Sequence, residues 1–153
     1  MSEIDQSLIK KYLVHRYPFL YIDKVLDINL DDMTSRALKN VTHNEHFFQG
    51  HFPGNPVMPG VIMLEAMCQT SLLTAQHHLM ETKGELSGLF FLAGFDKVKF
   101  KRIVVPGDQL IFESKFIKHK QGKLFYSECQ AYVDGELVCS ALIKAATANN
   151  ITV

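Results

Sequence analysis

The longest apolar region of the chain lies near residues 57–75, where Glu65 and Gln69 interrupt it. It predicts one long helix over residues 61–82, about 33 Å in length at 1.5 Å per residue. The first half of this helix is apolar nearly all round, with Val61, Ile62, Met63, Leu64, Ala66, Met67 and Cys68. A helix of that kind is buried on most of its sides.

Strand-like segments lie on both sides of this helix. They are predicted over residues 19–28, 33–41, 87–101, 109–119, 123–133 and 136–147. Turn residues separate them, among them Asp31-Asp32, Pro106-Gly107-Asp108, Gln121-Gly122 and Asp134-Gly135. Several connections are too short for a crossover, so the strands are expected to be mostly antiparallel. A short amphipathic helix over residues 2–13, capped by Ser2, precedes them and is ended by Tyr17-Pro18.

These elements predict a single α+β domain over residues 1–153, in which a curved antiparallel sheet of about six strands wraps around one central helix. The length of 153 residues and the hydrophobic fraction of 47% support one sizeable core. Such a sheet has an open edge unless a second copy pairs with it. We therefore expect an obligate dimer.

Charge argues against a nucleic-acid binder, because sixteen Lys and Arg balance sixteen Asp and Glu. The charges are unevenly distributed along the chain. Residues 96–123 hold eight basic and three acidic side chains, a net charge of +5. Lys97, Lys99 and Lys101 would share one face of a regular strand. An acidic partner or a solvated strand face would each explain this stretch.

The remaining composition indicates a reduced, cytoplasmic protein. The polar N-terminus lacks the pattern of a signal peptide, no apolar stretch is long enough to span a membrane, and the three cysteines have no metal-like spacing. If Asp134-Gly135 form a two-residue turn, Cys129 pairs with Ser140 and Gln130 pairs with Cys139. The two cysteines then point to opposite faces of the sheet and form no disulfide.

Two clusters of chemically capable side chains are weak candidates. The first cluster lies in one loop and consists of His43, Glu45, His46 and His51. Its spacing fits no familiar zinc site, so ordinary hydrogen bonding is the better interpretation. Cys68 lies nine residues from His77, too far along a helix for local activation, with His78 adjacent. A buried cysteine of this kind is usually a small hydrophobic residue.

A third pair, His51 and Glu65, is stronger. His51 opens a loop rich in glycine and proline, and Glu65 lies on the apolar helix, where no basic residue occurs from 61 to 76. Burial raises the pKa of a carboxyl group, and Gln69, one turn further on, is placed to bond it. A histidine and a neutral carboxylic acid form an acid–base pair for proton transfer. The pattern alone does not bring the two together.

The same residues belong to a recognisable motif. Residues 51–70 read His-Phe-Pro-Gly-Asn-Pro-Val-Met-Pro-Gly-Val-Ile-Met-Leu-Glu-Ala-Met-Cys-Gln-Thr. Further matches are His15-Arg16-Tyr17-Pro18-Phe19-Leu20, Lys39-Asn40-Val41-Thr42, Phe48-Gln49-Gly50, Phe91-Leu92-Ala93-Gly94, Asp96-Lys97-Val98, Val105-Pro106-Gly107-Asp108 and Val133-Asp134-Gly135. Over most of its length the chain resembles the FabZ-type 3-hydroxyacyl-[acyl-carrier-protein] dehydratases, which adopt the hot-dog fold.

The resemblance implies a role for each matching residue. His51 corresponds to the base that removes the C2 proton of a 3-hydroxyacyl thioester, and Glu65 to the acid that protonates the departing hydroxyl, contributed by the other protomer. Gly60 corresponds to the glycine whose amide holds the thioester carbonyl. Val57 lies in the loop that holds His51, and Gln69 corresponds to the glutamine that positions the acid.

The implied activity is that of a hydro-lyase of fatty-acid biosynthesis, which forms a trans-2-enoyl thioester from a (3R)-hydroxyacyl thioester without cofactor or metal. The implied partners are an acidic acyl carrier protein, for which the three lysines are a docking candidate, and a second copy of the chain, the family commonly forming trimers of dimers. Phe91 is a candidate for binding the acyl chain, in a tunnel whose other candidate residues are Phe47, Phe48 and Phe90.

Three alternatives remain at this point. They are a bifunctional dehydratase/isomerase, a dehydratase of a dedicated secondary-lipid or polyene pathway, and a non-catalytic acyl-binding subunit. Glu65 favours a plain dehydratase, because the related FabA-type enzymes carry aspartate there, although some FabZ-like relatives also isomerise. The departures from the family pattern are modest: Val14 replaces a frequent proline, and Cys68 a usual alanine.

Overall fold

A computed structural model describes residues 6–86, 88–121 and 123–147 of the chain. In chain order the elements are helix α1 (Gln6–Tyr12), strands β1 (Lys24–Asn29) and β2 (Thr34–Asn40), a 3-10 helix (His46–Gln49), helix α2 (Gly60–Lys83), and strands β3 (Phe90–Phe100), β4 (Gln109–Lys120), β5 (Leu124–Val133) and β6 (Glu136–Thr147). The long helix and all six strands of the sequence prediction are therefore present.

The six strands form one sheet in the order β1-β2-β4-β5-β6-β3, and every neighbouring pair is antiparallel. Helix α2 packs against all six strands. This confirms the predicted hot-dog architecture of one sheet around one central helix. Strands β1 and β3 are the two edges, so each has only one neighbouring strand within the chain.

Helix α2 forms the centre of the core. Its residues from Met63 to Gln76 are buried, with the exception of Glu65, which is half-buried. The helix ends at Gly84, whose φ of 71° is left-handed and whose N–H donates to the carbonyl oxygen of Met80 (3.0 Å). Such a glycine cap satisfies a carbonyl that the last turn leaves without a partner. Among the described residues, no helix combines the length and apolar character that crossing a membrane requires.

The first predicted strand, over residues 19–28, is wrong in its first half, because β1 begins only at Lys24. The side chain of Gln69 takes the backbone groups that a strand would have paired. Its amide nitrogen donates to the carbonyl oxygen of Phe19 (2.8 Å), and its carbonyl oxygen accepts from the N–H of Tyr21 (2.9 Å). Residues 19–21 are therefore fixed to the helix and not to a neighbouring strand.

The described part of the predicted N-terminal helix is α1, Gln6–Tyr12, which ends one residue before the predicted end at residue 13. Residues 2–5 of the predicted range, with the predicted cap Ser2, lie outside the described residues. The buried side chain of Tyr12 joins α1 to α2 by a hydrogen bond between its hydroxyl and Nδ1 of His77 (2.7 Å).

The predicted register of the last hairpin is wrong by one residue beyond its turn. Val133 pairs with Glu136 as expected, but a bulge between Ala131 and Tyr132 makes Ala131 the partner of Cys139 and Ala141 the partner of Cys129. The two cysteines consequently share the buried face, because cross-strand partners point the same way. All three cysteines are nevertheless free thiols.

A second bulge overturns the prediction that Lys97, Lys99 and Lys101 alternate along one regular strand face. The register between β3 and β6 shifts between Asp96 and Lys99, and Lys97 has a φ of 51°. Lys101 lies beyond the end of β3. Since a bulge breaks the two-residue period, spacing in the sequence does not place these side chains together.

Candidate active site

His51 is held in one orientation by its own loop. Its Nδ1 lies 2.7 Å from the carbonyl oxygen of Val57. A carbonyl only accepts, so Nδ1 carries the hydrogen, and Nε2 of the neutral ring is left with its lone pair. The ring also stacks on Phe52, with centroids 4.0 Å apart. This arrangement presents an unprotonated nitrogen that can accept a proton.

The backbone closes the same loop. The N–H of Val57 donates to the carbonyl oxygen of His51 (3.0 Å), and Phe52 and Asn55 exchange two further bonds of 3.0 and 2.8 Å. The N–H of Met58 anchors the loop to the carbonyl oxygen of Val104 (2.8 Å). Val57 thus contacts His51 through both of its backbone polar groups, as its predicted position in the loop requires.

Glu65 lies on α2 with a side-chain exposure of 17%. Burial raises the pKa of its carboxyl group, and the hydrogen bond from Nε2 of Gln69 to Oε1 (3.0 Å) partly opposes that shift. A carboxyl group of raised pKa keeps its proton to a higher pH than an ordinary glutamate does. Glu65 therefore has the properties of a general acid.

Gln69 is fully buried and uses its side-chain amide completely. Its nitrogen donates both to Glu65 and to the carbonyl oxygen of Phe19, while its oxygen accepts from the N–H of Tyr21. Because each of these bonds determines which end of the amide is nitrogen, the donor toward Glu65 is defined. The predicted positioning of the acid by Gln69 agrees with this geometry.

His15 is a neighbour of Glu65 that the sequence did not indicate. Its Nε2 lies 3.6 Å from Oε1 of Glu65, and its ring stacks on Phe19 with centroids 6.3 Å apart. Burial, and secondarily the charge of Arg16, lowers the pKa of His15. The only signal available in the sequence was its membership of the His-Arg-Tyr-Pro motif, which carries no assignment of chemistry.

Gly60 is the first residue of α2, directly after Pro59. A β-carbon at this position would lie 2.7 Å from two ring atoms of Phe100, closer than real contacts allow. The N–H groups of Ile62 and Met63 donate to the carbonyl oxygen of Pro59. The N–H of Gly60 lies before these first donors, at the start of the first turn. Amides at a helix start, together with the helix dipole, favour negative charge.

The structure gives the two predicted catalytic residues separate surroundings within one chain. Among the described residues, no hydrogen bond or ion pair joins His51 to Glu65. The expectation that one protomer supplies the base and the other supplies the acid stays a prediction.

The four candidate phenylalanines have different environments. Phe48 is buried and Phe47 packs half-buried against the core, with their rings 4.7 Å apart. Phe90 packs on Phe125 (5.2 Å), whereas Phe91, on the edge strand β3, is 42% exposed. Of these four phenylalanines, only Phe91 thus presents a large apolar surface to a ligand or a neighbouring chain.

The weaker clusters have other contacts. Glu45 forms an ion pair with the buried Lys39, and His46 packs on Phe47. Within residues 6–86, 88–121 and 123–147, no three His, Cys, Asp or Glu side chains are grouped to hold a metal ion. Burial raises the pKa of Cys68 to about 12, so its thiol is protonated and a poor nucleophile.

Comparisons with known proteins show the family of this chain. The family model of the FabA-like domain matches residues 13–142. Curated relatives include the protein named 3-hydroxyacyl-[acyl-carrier-protein] dehydratase FabZ of Shewanella amazonensis, which is 53% identical over 147 residues, covering 95% of this chain and 94% of the relative. The protein of the same name from Shewanella frigidimarina is 52% identical with the same coverage.

Solved structures share the fold at much lower identity. A chain of the dehydratase heterocomplex ApeI:P from Xenorhabdus doucetiae matches with a TM-score of 0.79 at 18% identity, covering 93% of this chain and 91% of its own. The virulence protein Cj0977 of Campylobacter jejuni matches with a TM-score of 0.68 at 12% identity, covering 98% and 94%. The likeness to the FabZ proteins, at about half identity over nearly the full length, decides the family: this chain belongs to the FabA-like family and, within it, to the FabZ branch.

Proposed function

We propose that this chain is a 3-hydroxyacyl-[acyl-carrier-protein] dehydratase of fatty-acid biosynthesis, a hydro-lyase that forms the trans-2-enoyl thioester. One observation carries the proposal: the contacts of His51 favour the ring tautomer, and the burial of Glu65 favours the carboxyl form, that elimination requires. His51 presents a free Nε2, and burial raises the pKa of Glu65. The names of the FabZ relatives agree with this activity.

The elimination follows from these states. Nε2 of His51 takes the proton from C2, and the electron pair of that bond forms the C2–C3 double bond. The C3–O bond breaks as the proton of Glu65 passes to the hydroxyl oxygen, so water leaves. The N–H of Gly60, at the positive end of the α2 dipole, is placed to stabilise the developing charge on the thioester oxygen. The reaction leaves one imidazolium and one carboxylate, whose reset is a net proton transfer.

The partner that completes the site is a second copy of the chain. Edge strand β3 has unpaired backbone groups along one side and carries the exposed apolar side chains Phe91, Leu92 and Phe100. Pairing two such edges covers apolar surface and removes an aggregation hazard. It also supports the proposal that His51 and Glu65 act across two protomers. Assembly of such dimers in threes is the further expectation.

The substrate is delivered on an acyl carrier protein. Residues 96–123 carry a net charge of +5, which supports a steered, weak encounter with an acidic carrier. The bulge in β3 means that the charge of this stretch, and not a regular lysine face, supports the docking. Its test is the carrier affinity after reversing Lys97, Lys99 and Lys101 together; unchanged affinity would contradict docking there.

We also place the protein in the cytoplasm. All three cysteines are free, and Cys129 and Cys139 face the same side of the sheet without forming a disulfide. Buried free thiols suit a reducing compartment.

The deciding experiment measures enoyl thioester formation from 3-hydroxyacyl carrier protein, with the double-bond position of the product determined by mass spectrometry and NMR. His51→Ala and Glu65→Gln should each lower kcat/KM by about 10²- to 10⁴-fold, the contribution of a positioned acid or base. His43→Ala, an exposed histidine of the preceding loop, is the matched control and should retain the full rate.

An inactive wild type, or full rates in the His51 and Glu65 variants, would overturn the proposed reaction. A product with its double bond moved from C2–C3 would instead assign the bifunctional dehydratase/isomerase activity.

A further inference from the structure

His15 and Gln69 converge on a single oxygen of Glu65. Nε2 of Gln69 donates to Oε1 at 3.0 Å, and Nε2 of His15 lies 3.6 Å from that same Oε1. Within the part of the chain that the structure describes, both contacts are made with Oε1. The two carboxyl oxygens of the general acid are therefore in different electrostatic environments, and the difference bears on which of them carries the proton.

The hydrogen of His15 is placed by its other nitrogen. Nδ1 of His15 is buried and has no hydrogen-bond partner among the residues that the structure describes. A buried N–H without an acceptor is rarer and more costly than a buried lone pair. The neutral ring therefore carries its hydrogen on Nε2, the nitrogen that faces Glu65.

The loop that carries His15 is fixed at several points. The guanidinium of Arg16 donates to the carbonyl oxygens of Leu13 (2.7 Å), His15 (2.7 Å) and Lys10 (3.2 Å). Phe19 stacks on the ring of His15, and its carbonyl oxygen accepts from Gln69. Phe19 thus contacts both of the side chains that approach Oε1 of Glu65.

We propose that His15, as the neutral Nε2–H tautomer, is a positioning residue that acts with Gln69 to reserve Oε1 of Glu65 as an acceptor and so places the acid proton on Oε2. The inference rests on the proposed function, because it concerns the acid of that reaction. Two donors directed at Oε1 disfavour a proton on that oxygen. Oε2 is then the oxygen that donates to the leaving hydroxyl, and after transfer the same two donors stabilise the carboxylate.

The charged and titratable neighbours are consistent with this role. From the loop, Arg16 directs its guanidinium to backbone carbonyls, and the phenol of Tyr21 lies within electrostatic range of Glu65. From α2, the protonated thiol of Cys68 is the other titratable neighbour of Glu65. Burial lowers the pKa of His15 itself, so the ring is a neutral donor near neutral pH and not a cation that would ionise the acid.

The test compares His15→Gln with His15→Leu. Both lose the stacking ring, but only glutamine keeps an N–H at the reach of Nε2. His15→Leu should lower kcat about tenfold with KM changed less than about twofold, as for the loss of one electrostatic contact with the carboxylate that forms when the proton is transferred. His15→Gln should recover most of that rate.

A second readout does not need turnover. The ¹³C carboxyl resonance of Glu65, assigned by Glu65→Gln, reports its pKa in the intact protein. Removing a donor to the carboxylate raises the pKa of Glu65. The carboxyl group of Glu65 should therefore titrate at higher pH in His15→Leu than in wild type, and close to the wild-type pH in His15→Gln. If His15→Leu does not fold, His15→Asn replaces it, because its amide lacks the reach of Nε2.

Equal kcat and equal Glu65 titration in the two variants would overturn the role of His15 and leave it with packing alone. Failure of the proposed function is a different result, since an inactive wild type would leave the NMR titration unaffected. Equal thermal unfolding of the two variants confirms that the comparison concerns the donor.

Discussion

The proposed base and the proposed acid of this site are held in opposite ways. His51 is held by the backbone of its own loop, through a carbonyl only six residues away, Val57. Glu65 is contacted by the side chains of Gln69 and His15. Gln69 also bonds to Phe19, and Phe19 and His15 belong to one segment about fifty residues away in the chain. A local backbone contact is insensitive to side-chain identity, whereas a side-chain network that joins distant segments fails if one member changes.

Replacing Gln69 should have the largest effect in this comparison. Gln69→Met keeps the shape but leaves the Phe19 carbonyl, the Tyr21 N–H and Glu65 without their partner. One of the three bonds is buried and two are part-buried. At about 1–3 kcal/mol for a buried group left unsatisfied, and less for the part-buried ones, the loss in unfolding free energy should be about 3 kcal/mol. Chemical denaturation measures it. A loss below about 1 kcal/mol would show that these bonds are dispensable.

A substitution of Gly60 tests the start of helix α2, which lies between His51 and Glu65 in the chain. Gly60→Ala places a methyl group 2.7 Å from the ring of Phe100, so either the half-exposed ring or the first turn must move. Overpacking of this kind costs about 1–3 kcal/mol. In a double-mutant cycle, Phe100→Ala should relieve most of that cost. Additive losses would show that the ring does not limit the residue at position 60.

The raised pKa of Glu65 makes stability depend on pH. Between the ordinary glutamate pKa, about 4.3, and its raised folded value, the folded protein holds a proton that the unfolded chain has released. This stabilisation is complete below the unfolded pKa and is lost as pH rises through the folded pKa. Glu65→Gln stays neutral, so its unfolding free energy relative to wild type should increase with pH. Parallel curves from pH 4 to pH 8 would contradict a buried, raised acid.

Val57 should show the smallest effect, although it contacts the base directly. Val57→Ala keeps the carbonyl oxygen and the N–H that bond to His51, and it removes only two methyl groups from a half-buried side chain. We expect kcat within about threefold of wild type and a loss of about 1 kcal/mol in unfolding free energy. A drop in kcat as large as that of His51→Ala would show that the side chain, and not the backbone, orients the base.

The sequence predicted the long helix and the six strands because hydrophobic period and turn residues act over neighbouring positions. It failed where a distant group competes for the backbone. The predicted strand over residues 19–28 starts late because the amide of Gln69 occupies Phe19 and Tyr21. The bulges at Ala131 and between Asp96 and Lys99 change which side chains share a face, and the hydrophobic pattern does not count an extra residue.

In the candidate site, too, some properties follow from the sequence and others from the tertiary structure. The types and spacing of His51, Gly60, Glu65 and Gln69 are properties of the chain, and the longer motifs that contain and accompany them sufficed to indicate the family. The tautomer of His51, the contact between His15 and Glu65, and the approach of Phe100 to Gly60 were decided by tertiary structure alone. A sequence specifies which chemical groups are present, but protonation and orientation depend on burial and on neighbours that only folding brings within a few ångströms.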